Sequence, residues 1–215
     1  SRNPELVFEA RHGFGVSSFT VEDNGLALGL TQTVDRNHPV KLSRLTIKNT
    51  SGETRRLRTY GYVEWVLGNN RQKTAPFILS SHDEETGALL ATNAYSIDYS
   101  GNFAVFASDS SKAGYSTSRR EFIGRHGSVV KPKSAAAGAN LSGSIEQDGD
   151  PCAALSQDLT LAPGEEKSVL FYLGDADSAD AAKALVKDTR ATDFDATVKA
   201  NRDFWNDFTG GLQVE

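Results

Sequence analysis

The chain has 215 residues, of which 38% are hydrophobic and 24% charged, with a formal net charge of −5. A chain of that length buries roughly 70% of its unfolded surface, so one large domain or two small ones can form a core without disulfides or metal. The acidic balance offers no global attraction to a polyanion and excludes nucleic acid as the expected partner. The single cysteine, Cys152, has no internal partner and fits a reducing compartment. No run approaches the roughly 18 apolar residues of a membrane span, so no direct membrane contact is expected. The start, Ser1-Arg2-Asn3-Pro4, carries neither a signal-peptide core nor an initiator methionine and reads as the cut edge of a longer chain.

From the first residues to 174 the pattern is short runs of Val, Ile, Phe, Tyr and Leu between turn residues, the signature of an antiparallel β-sandwich. Asn24-Gly25, a pair that accepts positive φ, predicts a hairpin between runs near 15–21 and 26–34. The run 55–67 alternates, with Leu57, Thr59, Gly61, Val63, Trp65 and Leu67 on one face and Arg58, Tyr60, Tyr62 and Glu64 on the other. Two wetter stretches, 68–75 and 124–149, read as long loops. Pro163-Gly164 predicts a turn joining 153–161 to 167–173 as antiparallel neighbours.

After Gly174 the character turns helical. Residues 179–187 are rich in helix formers, with Asp177 or Ser178 as cap. A second helix is expected behind a Thr192/Asp195 capping box, with Phe194, Val198, Asn201, Trp205 and Phe208 forming a stripe that needs a partner surface; Gly210-Gly211 stops it. The expected division is therefore a sandwich over 1–174 and a helical linker over 175–215.

The four histidines, His12, His38, His82 and His126, are scattered without metal-type spacing, so neither a metal nor a cofactor is expected. The carboxylates at Asp83-Glu84-Glu85 and at Glu146, Asp148 and Asp150 sit in hydrophilic sequence and read as solvated loops. Asn49-Thr50-Ser51 and Asn140-Leu141-Ser142 match glycosylation acceptors by chance. Glu64, between Tyr62 and Trp65, must face solvent or find a donor. In Arg119-Arg120-Glu121-Phe122-Ile123-Gly124-Arg125-His126-Gly127, arginine forks suited to phosphate, carboxylate or sugar hydroxyls meet glycines where a strand gives way to a loop. The bland alternative is an exposed charged edge.

Several segments, in order, carry a family resemblance: Glu9-Ala10-Arg11-His12-Gly13-Phe14-Gly15, Val34-Asp35-Arg36, Pro39-Val40-Lys41, Gly61-Tyr62-Val63-Glu64-Trp65-Val66-Leu67-Gly68, Arg120-Glu121-Phe122-Ile123-Gly124-Arg125, Asp150-Pro151-Cys152-Ala153-Ala154-Leu155 and Leu161-Ala162-Pro163-Gly164-Glu165-Glu166. They resemble the carboxyl-terminal phosphorylase region of the cyclic β-1,2-glucan synthases and, more distantly, the cellobiose and chitobiose phosphorylases. The resemblance implies a galactose-mutarotase-like supersandwich, two linker helices and then an (α/α)₆ catalytic barrel that this sequence lacks. Asn201-Arg202-Asp203-Phe204-Trp205 and Leu212-Gln213-Val214-Glu215 look like the linker into that barrel. The family chemistry is inverting phosphorolysis of β-glucosidic bonds, whose general acid matches no residue here, so the chain alone is expected to be inactive.

Three functional classes follow: a sandwich that completes the parent enzyme's assembly and the acceptor side of its active site, a carbohydrate-binding module, and a pure scaffold. The candidate substrate-contacting residues are Arg120, Glu121, Arg125, Tyr62 and Glu64, and the candidate interface residues are Phe194, Val198, Trp205 and Phe208. The implied partners are a β-glucan or gluco-oligosaccharide, the barrel of the parent, and a second copy of the chain as a homodimer. The resemblance also implies the cytoplasmic face of a bacterial inner-membrane protein. An exposed aromatic platform among Tyr60, Tyr62, Tyr95, Tyr99 and Tyr115 would favour the module.

Overall fold

In the computed structural model, which describes residues 6–95, 101–147 and 149–211, alternation along the strands decides the layering. The first strands are β1 (Phe8–Gly13), β2 (Val16–Asp23), β3 (Leu26–Val34), β4 (Val40–Asn49) and β5 (Arg55–Glu64). A one-turn helix α1 (Arg71–Thr74) and a 3₁₀ turn (Ala75–Phe77) precede β6 (Ile78–Asp83), β7 (Ala88–Asn93), β8 (Phe103–Ser108) and β9 (Gly114–Ser118). Short helices α2 (Arg119–Phe122) and α3 (Lys133–Ala137) follow, then β10 (Pro151–Leu161), β11 (Glu166–Ala176), α4 (Ala179–Ala191) and α5 (Phe194–Gly210).

Among the described residues all strand pairings are antiparallel: eight strands order as β1-β2-β3-β4-β11-β8-β7-β6, and three as β5-β10-β9. The expected mainly-β sandwich with two helices behind it is the fold observed. In β7, Leu89 and Ala91 face the smaller sheet while Ala88 and Leu90 face the helices, and β8 divides the same way with Ala104 and Phe106 against Val105 and Ala107. Burial on both faces explains why these strands read as continuous apolar runs.

Between the sheets, Trp65, Leu155, Val169, Phe106 and Phe171 form the sandwich core. Gly61 is needed there, since a Cβ would lie 2.5 Å from Cδ1 of Phe171 and 2.8 Å from Cζ of Phe106. The outer face of the large sheet packs Val16, Val40, Leu42 and Tyr172 against Ala182, Leu185 and Val186 of α4 and Phe194 and Val198 of α5. On the outer face of the small sheet, Tyr60, Tyr62 and Ala154 meet Phe122, Ile123 and Leu141. The order of layers is helix pair, large sheet, small sheet, and a short-helix cap.

Several local expectations are corrected. Asn24 and Gly25 do turn the β2–β3 hairpin, at φ 48° and 73°. Pro163-Gly164 turns the chain as expected, but β10 and β11 are not neighbours: β10 pairs with β5 and β9 in one sheet, β11 with β4 and β8 in the other. That turn carries the chain between layers, pinned where the Gly164 N–H donates to the Asn49 carbonyl and the Asn49 side chain donates to the carbonyls of Glu53, Leu161 and Ala162. Asn49 is fully buried by that work. The stretches 68–75 and 124–149 contain α1 and α3 rather than loop alone. Ser178 caps α4 by accepting from the Ala181 N–H, but α5 is capped by Asp193, which accepts from Asp195 and Ala196, while Thr192 ends α4.

Candidate functional site

The Ser118 side chain accepts from the Glu121 N–H and starts α2, which turns Arg119 and Phe122 over the outer face of β5 and leaves Arg120 exposed. Phe122 stacks on Tyr62 with centroids 4.8 Å apart. The Tyr62 hydroxyl donates to Glu64 Oε1 at 2.8 Å, and Arg119 Nε donates to the same oxygen at 2.8 Å. Arg71 stands 3.6 Å from Glu64 Oε2 and pairs with Asp150, whose second oxygen is 3.7 Å from Arg119. Two arginines and two carboxylates thus alternate in one clasp joining α1, β5, α2 and the start of β10. Burial pushes the Glu64 carboxyl up, but its bonds from Arg119 and Tyr62 and the charge of Arg71 outweigh that and hold it below the usual range. Burial and the bond to Glu64 push the Tyr62 phenol up, and the bond to Glu64 raises the Arg119 guanidinium.

Glu121 is equally committed. Its carboxylate accepts from Ser116 Oγ at 2.6 Å and from the N–H and Oγ of Ser142, each at 2.8 Å. Burial opposes its charge, but these serine donors outweigh burial and hold it below the ordinary glutamate range. Glu64 and Glu121 therefore stay ionised near neutrality and are poor proton donors. Their bonds tie structure together, so of the five sequence-predicted contacts Tyr62, Glu64 and Glu121 already have internal partners. Arg120 and Arg125 differ: both are exposed, and neither side chain has a hydrogen bond or ion pair among the described residues.

Beyond α2 the chain makes a fixed protrusion. The Lys133 N–H donates to the Ile123 carbonyl, Gly127 to Gly124, Ser134 Oγ to the Glu121 carbonyl, and Ser128 bridges Lys131. A Cβ on Gly127 would lie 1.9 Å from the Ile123 carbonyl oxygen, so only glycine passes there. At the tip Val129 and Val130 are 63% and 65% exposed beside Arg125, His126 and Lys131.

The stripe on α5 is graded. Phe194, Val198 and Asn201 are buried on the large sheet, Trp205 is half-buried against Gly15 and stacks on Phe14, and Phe208 is 69% exposed. Asn201 Nδ2 donates to Thr33 Oγ1 and the Val34 carbonyl, while Arg36 lies 3.7 Å over the Phe204 ring. Phe14, Phe204 and Phe208 therefore form an aromatic surface beyond the docked half of the helix.

Other sequence readings change. Asp150 belongs to the clasp, and Asp83 accepts from Thr86 and pairs with Lys183 at 3.1 Å, so neither is merely solvated. The Arg71–Asp150 and Lys183–Asp83 pairs join residues far apart in the chain and left no local signal, whereas the Thr86 donors lie three positions from Asp83. Tyr60 donates to the Ala139 carbonyl and Tyr115 stacks on His82, so both tyrosines are packed; Tyr99 lies outside the described residues. Tyr95 alone of the described candidates is fully open, at 72% exposure. Among the described residues no group of His, Cys, Asp and Glu is arranged to hold a metal ion.

Two stacked antiparallel sheets, with helices on the larger and a basic protrusion beside the smaller, define a β-supersandwich domain. The chain belongs to the glycosyl hydrolase 94 supersandwich domain family, whose model matches residues 1–192. It is 51% identical over all 215 residues to the cyclic beta-(1,2)-glucan synthase NdvB of Rhizobium meliloti (strain 1021), spanning 8% of that protein. It is 26% identical to the N,N'-diacetylchitobiose phosphorylase of Vibrio furnissii over 96% of this chain and 26% of that one. Among solved structures, a bacterial glucoamylase complexed with acarbose shares the fold with a TM-score of 0.59 at 9% identity, covering 98% of this chain and 29% of the other.

Proposed function

We propose that the chain serves as the non-catalytic sandwich domain of a larger phosphorylase-type or cyclic β-1,2-glucan synthase enzyme, supporting its assembly and framing the acceptor-sugar side of its active site. The observation that carries this reading is the protrusion over residues 124–133. It is internally braced, yet it ends in two exposed valines and carries Arg125, with Arg120 nearby, neither arginine having a partner among the described residues. Burying an apolar pair against another surface gains roughly 25 cal/mol per Å², and bidentate guanidinium groups beside it suit sugar hydroxyls or phosphate. The aromatic surface of Phe14, Phe204 and Phe208 supplies a second contact for the catalytic barrel or a second copy. The reading also assigns the chain to the cytoplasmic face of an inner-membrane parent, on the strength of its likeness to the synthase.

Arg125→Ala in the full-length parent tests it. The exposed side chain contributes little to stability, so melting should stay within about 1 °C of wild type. Acceptor use or phosphorolysis should fall by about tenfold, the loss of one charge-assisted contact. Wild-type kinetics for phosphate, donor and acceptor would leave the protrusion a surface loop and the domain a scaffold.

A further inference from the structure

At one end of the sandwich, where β5, β7, β8 and β11 finish or begin, a cleft of about 200 Å³ is lined by Leu67, Gly68, Asn93, Asn102, Ala104 and Asp175. Sites for drug-sized ligands run from about 300 Å³ upward, so this one suits a single sugar-sized ring. Its wall is held under strain: Leu67 has φ 39°, a left-handed conformation that a bulky residue rarely adopts. Asn93 Nδ2 holds it by donating to the Leu67 carbonyl at 2.9 Å, and Thr74 Oγ1 donates to the Val66 carbonyl. Strain of this kind persists where a site needs a fixed shape.

The same Asn93 accepts from the Tyr95 N–H at 3.0 Å, and the Ala94 N–H donates to the Phe77 carbonyl. Tyr95 and Phe77 stack on each other with centroids 4.6 Å apart and 22° between planes, and both are exposed. Neither the Asp175 carboxylate nor the Asn102 amide has a hydrogen bond or ion pair among the described residues. Burial, and then the charge of Asp177, push the Asp175 carboxyl up. A carboxylate in the lining disfavours anions, and an amide beside apolar walls recognises neutral hydroxyls.

We propose that this cleft and the Phe77–Tyr95 ring pair beside Asn93 form a glycan subsite that takes a glucosyl unit of a β-linked gluco-oligosaccharide, lined by none of the residues 124–133. The choice of a glucan rests on the function proposed above; the choice of a neutral sugar rests on the cleft. β-Linked glucose presents flat C–H faces to the Tyr95 ring, while its hydroxyls meet Asp175 and Asn102.

The test is amide NMR of the 215-residue chain titrated with β-1,2-linked glucotriose, with maltotriose as the α-linked comparison. Shifts should cluster at Leu67, Gly68, Asn93, Tyr95, Asn102 and Asp175, and be weaker with maltotriose. Tyr95→Ala should weaken binding by about three- to tenfold, and Asp175→Asn by a similar factor, without changing the rest of the spectrum. No shifts at millimolar β-1,2-glucotriose, shifts centred on residues 120–133 instead, or shifts indifferent to Tyr95→Ala would overturn the subsite. Those outcomes leave the function proposed above standing, because it is judged by Arg125→Ala kinetics in the parent.

Discussion

Asn201 decides how firmly α5 is set on the large sheet. Its side chain is 2% exposed and donates to Thr33 Oγ1 at 2.6 Å and to the Val34 carbonyl at 2.7 Å, while Thr33 passes its own hydrogen to the Gly15 carbonyl at 2.8 Å. Asn201→Ala removes both donations. If both acceptors were stranded, the cost would approach about 6 kcal/mol, at about 1–3 kcal/mol for each. Val34 is exposed and its carbonyl sits at the end of β3, where water can replace the lost donor, and Thr33 keeps its bond to Gly15. The expected loss is therefore about 1–3 kcal/mol. Phe194, Val198 and the Arg44–Asp195 pair still anchor the first half of the helix, so the loosening should concentrate beyond residue 201. Fluorine NMR of the chain labelled with 5-fluorotryptophan separates the two reporters: Trp205 should shift toward its solvent-exposed position, and buried Trp65 should not. Urea unfolding supplies the stability change. An unchanged Trp205 resonance together with a loss below about 0.3 kcal/mol would refute the account, since that is within the scatter of neutral surface changes.

Glu121→Gln should destabilise by about 1–3 kcal/mol at neutral pH, because a charged acceptor of three serine donors becomes an amide. The folded Glu121 pKa is depressed, so its contribution is complete above the unfolded value near ~4.3 and is lost as pH falls through the folded value. The wild-type advantage in urea midpoint should therefore narrow below about pH 4, and a gap constant from about pH 3 to pH 7 would contradict it. Gly127→Ala should cost about 1–3 kcal/mol and open residues 124–133 to protease, because the new Cβ meets the Ile123 backbone; Gly52→Ala, with nothing within 4 Å, should be near neutral. Equal protease sensitivity in the two variants would refute the bracing of the protrusion.

How much was legible beforehand depended on whether a signal was local. The β2–β3 turn, the two faces of β5 and a helix cap at Asp177 or Ser178 each rest on residues within a few positions of one another, and the sequence states them directly; the structure chooses Ser178. Pro163-Gly164 shows the boundary: a turn pair specifies a reversal of the chain, but the partner strand is chosen by which faces are apolar. Leu161 and Val169 are both buried, and the strands they lie on belong to different sheets. The stripe on α5 was visible as a period, but its gradation from Phe194 to Phe208 follows from where the large sheet ends beneath the helix.

By itself the sequence determined a β-rich antiparallel sandwich with two trailing helices and the family to which the chain belongs, because turn chemistry, alternation and ordered motifs are written along the chain. Only the tertiary structure decided that Tyr62, Glu64 and Glu121 are bound internally, that Arg71 and Asp150 join Arg119 in the clasp, and that Arg120, Arg125 and Tyr95 are left exposed. A charged side chain's role is set by the donors and acceptors that distant strands bring to it, and those distances do not exist until the sheets have paired.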